Sequence, residues 1–117
     1  MGRFHPILAM PITDDEIEKA VDYLRDNATV AAQARANRVY MEEYRKSVKA
    51  QLMQHKTLDS IGAQERYAYA HPEYLAHLEA LKAAVFEDEK HRFLLEAAKA
   101  KLDAWRTQEA TGRALRV

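Results

Sequence analysis

Between Pro72 and Gly112 the sequence contains no further proline or glycine. Proline is favoured at the first position of a helix and pushes the residue before it towards extended backbone, so a helix should start at Pro72. The spacing predicts one helix over 72–111, about 60 Å long at 1.5 Å per residue, with Gly112 closing it. That is far beyond an average globular helix, and a helix so long must pack against another. The segment from Val30 to His55 carries no helix breaker and is the natural partner. The expected fold is therefore all-α: an antiparallel helical hairpin, or coiled-coil-like bundle, with a ~40-residue C-terminal helix and smaller helices attached. Composition agrees. Three Gly and three Pro in 117 residues leave too few turn residues for a β-sandwich. No stretch approaches the ~18 apolar residues of a membrane span.

The chain reads as a single helical domain in five segments. Residues 1–12, with Pro6 and Pro11, form an extended arm whose Phe4, Ile7, Leu8, Met10 and Ile12 pack onto something. The helix that follows is the favoured partner, and a second subunit the other. Thr13-Asp14-Asp15-Glu16 is a capping-box pattern opening a helix over 13–27, with acidic residues where a helix N-terminus favours them. Asn27-Ala28-Thr29 is either a break, with Thr29 capping a second helix over 29–55, or a polar turn within one long helix. Ala34, Met41, Tyr44, Val48 and Leu52 build one apolar stripe there. Ser60 caps a short helix over 60–70, whose first turn Gly62 weakens.

In the long helix Tyr74, Leu78, Leu81 and Val85 follow a heptad, but the next seam positions are Asp88 and Arg92 before Leu95 and Leu102. The favoured reading is a stutter that moves the stripe to Phe86, Phe93 and Leu94. The alternative is a polar layer fixing register or oligomer state, with Asp88 and Arg92 paired at i,i+4. Phe93-Leu94-Leu95 covers too wide an arc for one seam, so this region needs two neighbours, and a homo-oligomer supplies the second. Trp105 continues the apolar face towards the core or a subunit interface. Asp88, Arg92, Phe93 and Trp105 are thus the candidate oligomer interface.

Catalytic chemistry finds little footing. There is no cysteine, no Gly-rich phosphate loop and no His-Glu-x-x-His. None of His5, His55, His71, His77 and His91 lies three or four residues from another, so no helix presents two imidazoles to a metal. Asp88-x-x-His91 is only half of a di-iron carboxylate motif. No cofactor and no metal are expected, and no enzyme activity.

Charge distribution says more than its sum. The net charge is zero, with 18 basic and 18 acidic residues. Residues 13–27 carry six acidic and two basic groups, 28–56 six basic and two acidic, 57–96 eight acidic and four basic, and 97–117 five basic and two acidic. The blocks are −4, +4, −4 and +3, with Arg3 adding one more positive charge. In the second block Arg35, Lys49 and Lys56 fall on one heptad row and Arg38 with Arg45 on the next; Lys46 joins them, and Glu42 interrupts. With Tyr40 and Tyr44 nearby, such a stripe can follow a phosphate backbone and stack unpaired bases. The candidate nucleic-acid-binding residues are Arg35, Arg38, Tyr40, Arg45, Lys46, Lys49 and Lys56, with Tyr67 and Tyr69 near the elbow. The competing use of the same charges is pairing with the −4 face of the first helix or of another subunit.

Three stretches, AQARANRVYMEEYRKSVKAQLM at 32–53, AQERYAYAHPEY at 63–74 and AAKAKLDAWRTQEATGRA at 97–114, resemble a family of small helical bacteriophage proteins often encoded among replication and recombination genes. The layout of basic helix, aromatic elbow and long closing helix is similar, more loosely, to the recombination mediators of T4-like phages. The resemblance implies a helical homo-oligomer in the host bacterial cytoplasm that binds single-stranded DNA or a recombinase nucleoprotein, with no membrane association. The other reading is an adaptor or inhibitor that binds a host protein and makes no nucleic-acid contact.

Overall fold

The computed structural model describes residues 11–116, so the expectation of an N-terminal arm falls, except for Pro11 and Ile12, outside the described residues. The fold is all-α. Helix α1 spans Asp14–Met53 and continues into a short 3₁₀ turn, Gln54–Lys56. Helix α2 spans Ile61–Ala70 and α3 spans Pro72–Leu115, 44 residues long.

The ends of these helices follow the sequence chemistry closely. Thr13 Oγ1 accepts from the Glu16 amide at 3.2 Å, and Glu16 Oε1 accepts from the Thr13 amide at 3.3 Å, so the capping box is formed. Ser60 caps α2 by accepting from the Ala63 amide at 3.2 Å. His71, held extended by the proline after it, separates α2 from α3. Its Nδ1 accepts from the Glu73 amide at 3.0 Å and serves the first turn of α3.

One boundary left open by the sequence is decided, and another differs from its reading. The segments 13–27 and 29–55 are one helix, the second of the two readings, so Thr29 opens no new helix and Asn27 serves α1 itself. Its Nδ2 donates to the Tyr23 carbonyl one turn back, at 2.9 Å, and neither proline nor glycine interrupts the ladder. At the other end α3 runs past Gly112 to Leu115. Glycine without a left-handed backbone only weakens a helix interior, by about 1 kcal/mol against alanine, and does not end it.

The chain divides into two compact units. In one, comprising residues up to Thr29 and from Arg92 onward, the start of α1 runs antiparallel to the end of α3. Gln108 exchanges two hydrogen bonds of 2.8 Å with the Ile12 backbone, and Lys101 lies 3.7 Å from Glu16. Ile17 and Ala20 are buried there. In the other unit, Val30–His91, the core is Val48, Leu52, Ala68 and Tyr74, with Met53 and Tyr67 against it. Leu52, only 1% exposed, is the largest side chain fully buried among the described residues.

The stutter does not occur. Along α3 the covered positions include Tyr74, Leu81, Asp88, Leu95 and Leu102, an unbroken seven-residue repeat, whereas Phe86 and Phe93 are 64% and 58% exposed. Asp88 stays on the seam, 5% exposed, because Arg38 of α1 meets it with Nη1 at 3.1 Å. The polar layer therefore exists with a different partner from the one expected. Arg92 instead lies 3.3 Å from Glu96, one turn further along its own helix, with its guanidinium 4.6 Å from the centre of the Phe93 ring.

Candidate nucleic-acid interface

Helix geometry sorts the basic block of α1 before any side chain is considered. At about 100° per residue, Arg38, Arg45 and Lys49 fall within about 40° of one another, whereas Tyr40 lies about 140° round from Arg45. Tyr40 therefore does not flank the cations. It stacks on Tyr44, with centroids 5.7 Å apart and rings 20° from parallel, and Tyr44 in turn meets His77 at 5.8 Å. His77 Nε2 lies 2.8 Å from the Met41 carbonyl oxygen, which fixes this aromatic group on the opposite flank of the α1 seam.

The aromatic partners of the basic flank come from elsewhere. Lys49 Nζ sits 4.7 Å from the centre of the Tyr69 ring, on α2, and Tyr69 packs edge-on against buried Tyr74 of α3 at 5.2 Å. Lys56 lies 5.2 Å from the Tyr67 ring centre. Arg45, Lys46, Lys49, Tyr69 and Tyr74 together line a recess of about 390 Å³. The elbow below it is tied by Tyr67, which lies 3.1 Å from His55 Nδ1 through its hydroxyl and 5.4 Å from the His71 ring.

Not all the candidate cations are available. Arg38 is half-buried and committed to Asp88, with Glu42 at 3.5 Å and Glu89 at 3.9 Å. Lys49 donates to Glu65 Oε2 at 2.8 Å, and this hydrogen bond raises its pKa above the ordinary lysine range. Lys46 lies 3.1 Å from Glu43 on its own helix, a solvent-exposed pair. Arg35 and Arg45 are exposed and have no ion-pair partner among the described residues.

Of the residues assigned to an oligomer interface, Asp88 is interior, so it offers no surface. Phe93 and Arg92 are exposed and Trp105 is half-buried. The Trp105 Nε1 and the His91 Nδ1 are buried without a hydrogen-bond partner among the described residues.

Sequence reasoning overlooked Glu65 and Tyr74 as parts of the basic site. A signal was present for the first: Glu65 and Tyr69 are four apart, so one face of α2 carries both the anion and the ring that receive Lys49. Tyr74 reads in sequence as a seam residue, which it also is. Among the described residues no group of three or more His, Asp or Glu is placed to hold a metal ion, and no helix is long and apolar enough to cross a membrane. Comparison with protein-family models, curated proteins and solved structures finds no match to this chain.

Proposed function

We propose that this protein is a non-enzymatic accessory of phage DNA recombination or replication, which as a helical homo-oligomer binds single-stranded DNA or a recombinase nucleoprotein in the host cytoplasm. The observation that carries the reading is the basic flank of α1, where Arg45, Lys46 and Lys49 share a recess with Tyr69 and Tyr74. Cations that follow a backbone, with rings beside them, are the means by which proteins hold single strands without reading sequence. The three stretches that resemble small helical phage proteins, often encoded among replication and recombination genes, suggest the biological setting. Fluorescence anisotropy of a labelled oligonucleotide tests it: affinity should fall steeply between low and physiological salt, since each neutralised phosphate releases counterions. Absence of binding at low salt, or binding indifferent to salt, removes the reading.

A second reading is a protein-binding adaptor or inhibitor of a host system. It is favoured by the large apolar side chains left in solvent, Phe86 and Val39 in one unit and Phe93 and Leu94 in the other. It predicts a stable complex with a host or phage protein and no oligonucleotide binding.

A further inference from the structure

The three cations of the recess stand in different electrostatic situations. Arg45 is unpaired among the described residues. Lys46 is held only by Glu43, at the surface. Lys49 is held by Glu65, a carboxylate that α2 brings to the side chain at 2.8 Å. Glu65 is thus an anion already docked on one of the recess cations. The Lys49–Glu65 pair is itself partly exposed, with 27% and 39% of the two side chains accessible. A pair this wet has little net worth, so exchanging its anion for another costs little.

We propose that the recess is a receptor for a phosphate group, which takes the Arg45 guanidinium and Lys46 and displaces the Glu65 carboxylate from Lys49. Arginine offers a planar fork that matches two phosphate oxygens, and lysine adds a point charge at adjustable distance. A phosphate has more acceptor oxygens than the carboxylate it replaces, and it engages Arg45, which Glu65 leaves unused. The Tyr69 and Tyr74 rings wall the site and exclude water from one side, strengthening charge-assisted bonds made against them. At about 390 Å³ the recess is larger than a phosphate alone and has room for the sugar attached to it. Phosphate binding is therefore an exchange, and it loosens the tie between α1 and α2 that Glu65 makes in the free protein.

This inference rests on the nucleic-acid reading only for the source of the phosphate, which is either a strand or a small phosphate compound. The full chain is titrated with a labelled single-stranded oligonucleotide and, separately, with inorganic pyrophosphate. Wild type is compared with Arg45→Ala, Glu65→Gln and Lys49→Met, each checked for helicity and melting by circular dichroism. Arg45→Ala should weaken binding about tenfold and reduce the salt slope by about one. Glu65→Gln should tighten binding about threefold or more, because the internal competitor is gone. Adding Lys49→Met should cancel that gain. A merely structural Glu65 would instead leave affinity unchanged or lower it. Unchanged affinity in both Arg45→Ala and Glu65→Gln overturns the proposal, and oligonucleotide binding that persists in that case leaves the functional reading resting on Arg35 and Lys56. Pyrophosphate binding with the expected responses but no oligonucleotide binding keeps the receptor and removes the nucleic-acid reading. Should Glu65→Gln fail to fold, Arg45→Ala decides alone, because Arg45 contributes no ion pair to the fold.

Discussion

Leu52 and Lys49, three residues apart on α1, show how differently single side chains hold this protein together. Leu52 is enclosed by Val48, Ala68 and Tyr74, so it joins all three helices of its unit. Leu52→Ala should cost about 2–5 kcal/mol, from lost transfer free energy and the cavity left behind, read as a shift in the denaturant midpoint. Lys49 works through charge. Its hydrogen bond with Glu65 raises its folded-state pKa above the unfolded value. Stability from that source is therefore fully present below the ordinary lysine pKa and disappears only as pH rises through the raised value. The difference in melting temperature between wild type and Glu65→Gln should accordingly stay constant from neutral pH to about pH 9. A difference that narrows over that range would show that Lys49 is not held in its charged form by Glu65.

At the scale of elements, the breakers and caps were the legible part. Thr13 with Glu16, Ser60 and Pro72 each act locally, through a hydroxyl, a carboxylate or a ring that constrains its own neighbours. The start of α1 and both ends of α2 could therefore be read within a residue or so. Asn27 left its boundary open and Gly112 misled for the same local reason. Each is permitted in a helix interior, and only the packing around it decides whether the helix continues. Gly112→Ala tests this directly. A Cβ there would meet nothing nearer than the Arg116 side chain at 3.8 Å, an ordinary contact. The variant should gain about 0.5–1 kcal/mol from the glycine's lost chain entropy, measured by thermal unfolding. The candidate site was legible on α1 and, through Tyr69, at the elbow, but not as one recess. Its members beyond α1, Glu65, Tyr69 and Tyr74, reach Lys49 through the turn at 54–60 and the elbow at His71, a distance in sequence that periodicity cannot bridge.

At the scale of the molecule, the four charge blocks sort themselves within the two units. Among the described residues the basic block of residues 28–56 finds its ion-pair partners within Val30–His91. Its bonds go to the acidic third block, through Arg38 with Asp88 and Glu89 and Lys49 with Glu65. Glu16 of the first block meets Lys101 of the last. Arg35, Arg45 and Lys56 are the basic residues of the second block that have no ion pair among the described residues. Melting should depend only weakly on salt, because most ion pairs are exposed, in contrast to the steep dependence expected of oligonucleotide affinity. The Arg38–Asp88 pair, with its carboxylate buried and its guanidinium half-buried, has a different consequence. Apolar side chains tolerate a shift of α1 along α3 better than a paired carboxylate does, so the pair discriminates among alignments of the two helices. Stranding the Asp88 carboxylate in any other alignment would cost several kcal/mol, which singles out one ground state. Replacing the pair by Arg38→Met with Asp88→Leu should leave helicity intact and thermal stability equal or higher. Amide NMR spectra should then show doubled resonances for the Val30–His91 unit, the mark of a degeneracy that two side chains had lifted.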